Sequence, residues 1–151
     1  MIRRAMAALA AIVALLMAGC GTAEPKEVDI VCAAAALREA VAFEDELSEI
    51  DAEAVAYLYA VPDGVKSVVY CGSGATAEEL ALFDAGDDAL AEEVLGLAHA
   101  HIEAQLESFK GYNPGEVDKL ERAVVERFGR YVALCVSSDT SAATEVGKIF
   151  R

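Results

Sequence analysis

Three kinds of side chain in this 151-residue sequence have types suited to chemistry: a serine between two glycines, two histidines and four cysteines. Ser73 lies between Gly72 and Gly74 but lacks the strand-turn-helix setting of a nucleophile elbow. His99 and His101 lie two positions apart on a predicted helix, about 200° around its axis, so they cannot converge on one metal ion. The sequence therefore predicts no catalytic residue, no metal site and no cofactor.

The segment 72–76 is the most suggestive candidate for binding, and it consists of Gly72, Ser73, Gly74, Ala75 and Thr76. Its glycines permit positive φ and close backbone approach, so successive N–H groups could form a nest for a carboxylate, a phosphate or a peptide. A hairpin loop whose glycines only make the turn explains the composition equally well. The neighbouring Glu78 and Glu79 would oppose an anion, which favours a peptide or a protein edge as the ligand.

Cys32, Cys71 and Cys135 leave an odd number of thiols in the exported domain that the N-terminus predicts. One alternative is a disulfide between Cys71 and Cys135 with one buried thiol remaining. The other is three free, inert cysteines, because all three have apolar sequence neighbours. The wide spacings and the lack of a Cys-x-x-Cys pair exclude a zinc site of the usual kind.

Charge excludes one class of function. The chain has 12 basic and 26 acidic residues and a net charge of −14. Removal of an N-terminal signal would take Arg3 and Arg4 with it, leaving 10 basic residues against 26 acidic ones, or −16. Nucleic acid is thus an improbable partner, since binding it requires a basic surface. The acidic run 44–46 lacks the spaced ligands of a calcium loop and is interpreted as a solvated face.

Residues 1–19 have the parts of an export signal: a basic pair, an uncharged run and small residues before Cys20. The uncharged run, 5–18, would form a helix only about 21 Å long, too short for a permanent membrane span. Its ending resembles a bacterial lipobox, which predicts lipid attachment, including a fatty acyl chain such as palmitate, at Cys20. Residues 20–28 are then a lipidated tether, and the protein is anchored at the outer face of the cell membrane.

Residues 29–151 are expected to form a single α+β domain. Helices are predicted for 29–42, 51–59, 88–110 and 140–150. Asp29, Asp87 and Asp139 are the expected caps, and Asp51 is expected to open the second helix. Strands are predicted for 65–71, 79–84, 123–128 and 131–136.

A gap-free alignment of 80–94 with 132–146 suggests that the order strand, strand, helix occurs twice, although chance similarity in an alanine-rich chain is an alternative. The predicted fold is a four-stranded antiparallel sheet in a ββαββα, permuted ferredoxin-like order, with N-terminal helices. The second and fourth strands are apolar on both faces and should be central. The two ββα helices are expected on one face of the sheet, and the N-terminal helices or a partner should cover part of the other face.

Four segments carry a family resemblance: FEDEL at 43–47, the hairpin VVYCGSGATAEELALFDAGD, ESFKGYNPGEVDKLERAVV at 107–125, and YVALCVSSD at 131–139. Together they resemble a family of small Gram-positive lipoproteins defined as domain of unknown function 4358. The resemblance covers nearly the whole mature chain. It implies an extracytoplasmic lipoprotein with an α+β domain, and it implies no activity.

Three functions follow as hypotheses. The leading one is a membrane-tethered binding or adaptor module that contacts an envelope protein, a peptide or a small ligand near the segment 72–76. The alternative is a surface hydrolase or other enzyme without a recognisable motif, and the third is a passive spacer. The missing set of acid, base and nucleophile is the sequence feature that favours binding over catalysis.

Overall fold

The computed structural model describes residues 26–151. The predicted signal peptide, Cys20 and most of the tether lie outside the described residues. The described chain contains five α-helices and one 3₁₀ turn, Pro114–Glu116. The helices are α1 (Ile30–Ala40), α2 (Ala52–Tyr59), α3 (Asp88–Tyr112), α4 (Val117–Glu121) and α5 (Ala142–Phe150). In this part of the chain no helix has both the length and the apolar composition needed to cross a membrane.

The strands form one antiparallel sheet of five members in the spatial order β1-β2-β3-β5-β4. They are β1 (Ser48–Glu49), β2 (Lys66–Cys71), β3 (Glu79–Asp84), β4 (Val124–Phe128) and β5 (Tyr131–Val136). The α+β class is confirmed, whereas the predicted count of four strands is wrong. The fifth strand is β1, which has only two residues, and two exposed polar residues carry no recognisable alternation.

The central strands are β3 and β5, as predicted from their apolar composition. All six residues of each strand are buried. A strand buried on both faces needs a cover on each side of the sheet. One cover is α1 with α5, and the other is α2, α3 and α4.

The expectation that the two ββα helices share a face is wrong, because α3 and α5 lie on opposite sides of the sheet. Val146 and Phe150 of α5 pack in the core that contains α1, and the Phe150 ring stacks on Phe128 at a centroid distance of 5.0 Å. Val94 and Ala98 of α3 belong to the other core. Since β5 is apolar on both faces, its sequence does not indicate which face the following helix covers.

Three helix starts follow the predicted chemistry. The side chains of Asp29, Asp51 and Asp87 accept hydrogen bonds from backbone N–H groups in the first turns of α1, α2 and α3. The prediction that Asp139 directly caps the last helix is wrong, since α5 begins at Ala142. Asp139 instead accepts bonds from the backbone N–H groups of Ser141 and Ala42, and it thereby joins the two helices of one face.

The first described residues are bound to one end of the sheet. Lys26 Nζ donates to the carbonyl of Ile149 at 2.7 Å, and the backbone N–H of Val28 donates to the Tyr131 hydroxyl at 2.9 Å. Tyr131 pairs with Asp84 at the end of the central strands. Lys26 and Val28 therefore lie at this end of the sheet.

Candidate functional site

The predicted loop 72–76 is folded around the carboxylate of Asp45. Its Oδ2 atom accepts hydrogen bonds from the Ser73 backbone N–H at 2.8 Å, the Ser73 Oγ at 2.7 Å and the Thr76 Oγ1 at 3.0 Å. These bonds, those from Ser73 above all, lower the pKa of Asp45 to about 2. The carboxylate bound by the loop thus belongs to the chain itself. Glu44 and Glu46 are exposed, as a solvated face requires, whereas Asp45 is half-buried and its side chain binds the loop.

Two glycines of the loop meet specific backbone requirements. A Cβ atom at Gly72 would lie 2.8 Å from Asp45 Oδ2, so only glycine allows this approach. Gly74 has a φ of +87°, a conformation that residues with a Cβ rarely adopt. The close approach of Asp45 therefore accounts for Gly72, and the positive φ of the turn accounts for Gly74.

A second cluster, absent from the sequence analysis, surrounds Lys119. Its Nζ lies 3.0 Å from Glu44 Oε2, 3.2 Å from Glu116 Oε2 and 3.6 Å from Glu78 Oε1. Glu78 is 2% exposed, and its Oε2 accepts the backbone N–H groups of Glu44 and Asp45, each at 2.8 Å. Burial alone would lower the pKa of Lys119, but its hydrogen bonds with Glu44 and Glu116 raise it. This Lys119 cluster fixes the acidic run against α4.

Tyr59, Glu79 and His101 form a third, buried cluster. The Tyr59 hydroxyl donates to Glu79 Oε1 at 2.5 Å, and His101 Nε2 lies 2.8 Å from Glu79 Oε2. The Tyr59 and His101 rings stack at a centroid distance of 4.2 Å. All three residues are at least nine-tenths buried. The sequence offered one signal for this cluster, the glutamate that precedes the apolar residues 80–83 of β3.

The groups around this cluster are not activated nucleophiles. Burial, followed by the charge of Glu79, raises the pKa of the Cys71 thiol to about 12, and the same causes raise the pKa of Tyr59 well above its ordinary value. A thiol with so high a pKa carries no thiolate at neutral pH. The Ser73 hydroxyl donates to Asp45 and contacts no histidine. The arrangement is therefore suited to holding a group in place rather than to attacking one.

The three cysteines of the described chain are free. Cys71 packs in the core of α2 and α3, whereas Cys135 packs in the core of α1 and α5. Cys71 is in β2 and Cys135 is in β5, and β3 lies between these two strands. The two cysteines are therefore about 10 Å apart and on opposite faces of the sheet, too far apart for a disulfide. Cys32 is exposed, contrary to the expectation of apolar surroundings. Among residues 26–151 no three His, Cys, Asp or Glu side chains are arranged so that they could hold a metal ion.

A cavity of about 400 Å³ is lined by part of the loop and by one residue of the third cluster, Glu79. Gly72, Gly74 and Thr76 of the loop line it, whereas Ser73 and Ala75 do not. The cavity lies at the end of the sheet where Cys71 pairs with Glu79. We call it the hairpin cavity.

The walls of the hairpin cavity contain both apolar and polar residues. Leu58, Phe109 and Tyr112 are the large apolar residues of the lining, and Gln105, Ser108 and Glu79 are among its polar residues. Leu58 is 38% exposed and Tyr112 is 68% exposed, although both are large apolar side chains. Exposed aromatic surface beside a concave site is typical of a ligand or peptide contact.

Fold and site together define a small α+β domain with a five-stranded antiparallel sheet and an aromatic-walled cavity at one end. Residues 39–137 match the family described as a domain of unknown function (DUF4358), and the chain belongs to this family. The match includes β1 to β5 and every residue that lines the hairpin cavity. No curated protein and no solved structure matches the chain.

Proposed function

We propose that this protein is a membrane-anchored, extracytoplasmic binding or adaptor module that holds a segment of an envelope protein or peptide in the hairpin cavity. The observation that carries the proposal is the cavity itself, with exposed Leu58 and Tyr112 at its wall and the predicted loop along its side. Aromatic side chains with both apolar and polar parts are enriched where proteins contact partners.

The position of the cavity suits a tethered receptor. The N-terminal segment is bound at the Asp84 and Tyr131 end of the central strands, and the cavity lies at the Glu79 end. Six-residue strands separate these ends by about 20 Å. A lipid on Cys20 would therefore hold the first end near the membrane and leave the cavity directed away from it.

We further propose a permuted ferredoxin-like relationship for the sheet. The order β2-β3-β5-β4 supports this interpretation, since it places the second strand of each hairpin at the centre. The location of α3 and α5 on opposite faces departs from it.

The second candidate is an enzyme such as a surface hydrolase, and the pairing of Glu79 with His101 is the observation that favours it. A carboxylate that orients a histidine is the arrangement of a general base. This candidate ranks second because Cys71 is protonated and Ser73 is bound to Asp45.

A crosslinking pull-down of the lipidated protein from membranes tests the binding function. Ser108 is an exposed helical residue on the cavity wall, so Ser108→Trp fills the cavity without straining the backbone. Ala100→Trp, at an exposed position of the same helix away from the cavity, is the matched control. We expect an envelope protein that wild type and the control capture and that Ser108→Trp loses. Equal capture by both variants would refute a role for the cavity.

A further inference from the structure

Building on the proposed function, we infer that the hairpin cavity binds an uncharged segment of a partner polypeptide. An apolar side chain of that segment, such as leucine, packs against the apolar wall, and a backbone peptide group of the same segment pairs with the side chain of Gln105. The inference rests on the proposed function and names the chemical class of the ligand for the same site.

Both acidic residues of the lining are already paired inside the chain. Glu79 Oε1 accepts a hydrogen bond from the Tyr59 hydroxyl, and its Oε2 lies 2.8 Å from His101 Nε2. Glu78 Oε2 accepts two backbone N–H groups, and its Oε1 faces Lys119 Nζ at 3.6 Å. Among the described residues that line the cavity, none is a lysine or an arginine. A charged ligand would lose its water here without gaining a free opposite charge, so the lining favours an uncharged one.

Half of the exposed large hydrophobic residues of the described chain line this cavity. They are Leu58 in the last turn of α2 and Tyr112 at the end of α3, whereas Val31 and Tyr57 lie outside the lining. Phe109 adds a ring that meets Tyr112 edge to face, with the centroids 5.9 Å apart. An apolar side chain packed against this wall removes apolar surface of both partners from water. Such a side chain therefore gains more than a polar one on entering the cavity.

Gln105 supplies the polar contact that suits a peptide group. It is half-buried on α3 and lines the cavity one turn before Phe109. Between residues 101 and 112, the side chains that hydrogen-bond within the described chain are those of His101, Glu107 and Lys110, so the Gln105 amide is free to bind. A carboxamide has both donors and an acceptor, as a peptide group has. It can therefore pair with a peptide N–H or C=O group without adding charge.

An NMR titration of the full lipidated chain in lipid nanodiscs tests the inference. The probes are three capped tripeptides with alanine at both ends and leucine, lysine or glutamate in the middle. Physiological salt screens the attraction of the acidic chain for the lysine probe. The readout is the saturable shift of the Gly72 and Gly74 amide signals. We expect the leucine probe to bind about tenfold more tightly than either charged probe, because only its side chain enters without a desolvated charge.

Gln105→Leu is the deciding variant. It makes the wall more apolar, so a cavity that recognised only apolar surface would bind the leucine probe more tightly. We expect the opposite, a severalfold loss of affinity, because the partner for the peptide group is removed. Ala104→Leu, the same new side chain at the exposed neighbouring position outside the lining, is the control and should leave the affinity unchanged.

The cavity-filling variant Ser108→Trp should abolish the shifts, which separates binding in the cavity from partition of the probe into the nanodisc. Equal or tighter binding of a charged probe, no shift with any probe, or shifts that persist in Ser108→Trp would overturn the inference. So would an affinity that is unchanged or increased in Gln105→Leu. A partner that Ser108→Trp loses in the pull-down, together with equal binding of the leucine and lysine probes, would retain the binding module and reject only the uncharged ligand.

Discussion

At the residue scale, Glu79 connects the lining of the hairpin cavity to the buried cluster with Tyr59 and His101. It is 5% exposed and has hydrogen-bonding partners on two helices, Tyr59 on α2 and His101 on α3. Loss of one partner from a buried carboxylate costs more than the bond itself, because the group keeps its desolvation penalty. The Tyr59 hydroxyl is therefore a structural requirement of the site.

Tyr59→Phe tests this requirement. We expect the free energy of unfolding to fall by about 1–3 kcal/mol, since the variant removes the hydroxyl donor and keeps the ring. Tyr57→Phe is the control two positions away, where the side chain is 88% exposed. Urea unfolding followed by circular dichroism measures both variants. Equal stability of the two would show that the hydroxyl does not support Glu79.

Asp45 gives the loop a pH dependence of defined sign. Hydrogen bonds from Ser73 and Thr76 lower its pKa from the ordinary 3.8 to about 2 in the folded chain. A group whose pKa is depressed by folding stabilises the fold above its unfolded pKa, and this contribution disappears as the pH falls through the folded pKa. The relevant window thus runs from about pH 4 down to about pH 2.

We expect Asp45→Asn to flatten the pH dependence of stability in this window, because asparagine cannot titrate. Thermal unfolding at a series of pH values compares it with wild type and with Glu46→Gln, whose exposed side chain contacts no donor in the loop. If stability in Asp45→Asn still falls with pH as steeply as in wild type, the hydrogen bonds from Ser73 and Thr76 to this carboxylate are not the cause of the pH dependence.

At the scale of the elements, the sequence predicts what depends on local pattern. The central position of β3 and β5 follows from their apolar residues, and the starts of α1 to α3 follow from aspartate caps. The side of the sheet that α5 covers and the strand β1 depend on tertiary contacts, and no local pattern indicates them. The Lys119 cluster joins segments 75 residues apart, so it was also beyond prediction.

Lys119 tests how α4 is joined to the acidic run. Lys119→Met keeps the aliphatic stem and leaves the buried Glu78 and Glu116 without their cation. Removing one partner of a buried ion pair is expected to lower the free energy of unfolding by about 3 kcal/mol. Lys110→Met removes an exposed pair with Glu107 that solvent screens, so it should lower the free energy of unfolding far less than Lys119→Met does. Chemical denaturation measures the free energy of unfolding of both variants. An equal loss of stability in the two would contradict the role of Lys119 as the cation that pairs with buried glutamates.

At the scale of the whole molecule, the sequence indicated part of the lining of the hairpin cavity. It identified the loop 72–76, three residues of which line the hairpin cavity. It placed Glu79 beside the loop but missed the pairing of Glu79 with Tyr59 and the wall formed by Phe109 and Tyr112, because these residues come from α2, β3 and α3 and meet only in the folded domain. Their individual patterns are those of ordinary core and surface residues.

The proposed anchor makes a prediction about location. We expect Cys20→Ala to remove lipid attachment, so the protein should no longer incorporate labelled palmitate and should lose stable membrane anchoring. Cys32→Ala, a change at an exposed cysteine of the described domain, is the control and should leave both properties unchanged. Palmitate incorporation into Cys20→Ala at the wild-type level would refute the assignment of Cys20.

The most direct test of the binding function is photocrosslinking from the cavity wall in intact cells. A benzophenone side chain replaces Tyr112 at the hairpin cavity or, in a separate strain, the more exposed Tyr57 outside its lining. We expect one discrete adduct with an envelope protein from position 112, lost on addition of Ser108→Trp, and no such adduct from position 57. The same adducts from both positions, or an adduct from position 112 that persists with Ser108→Trp, would contradict the account.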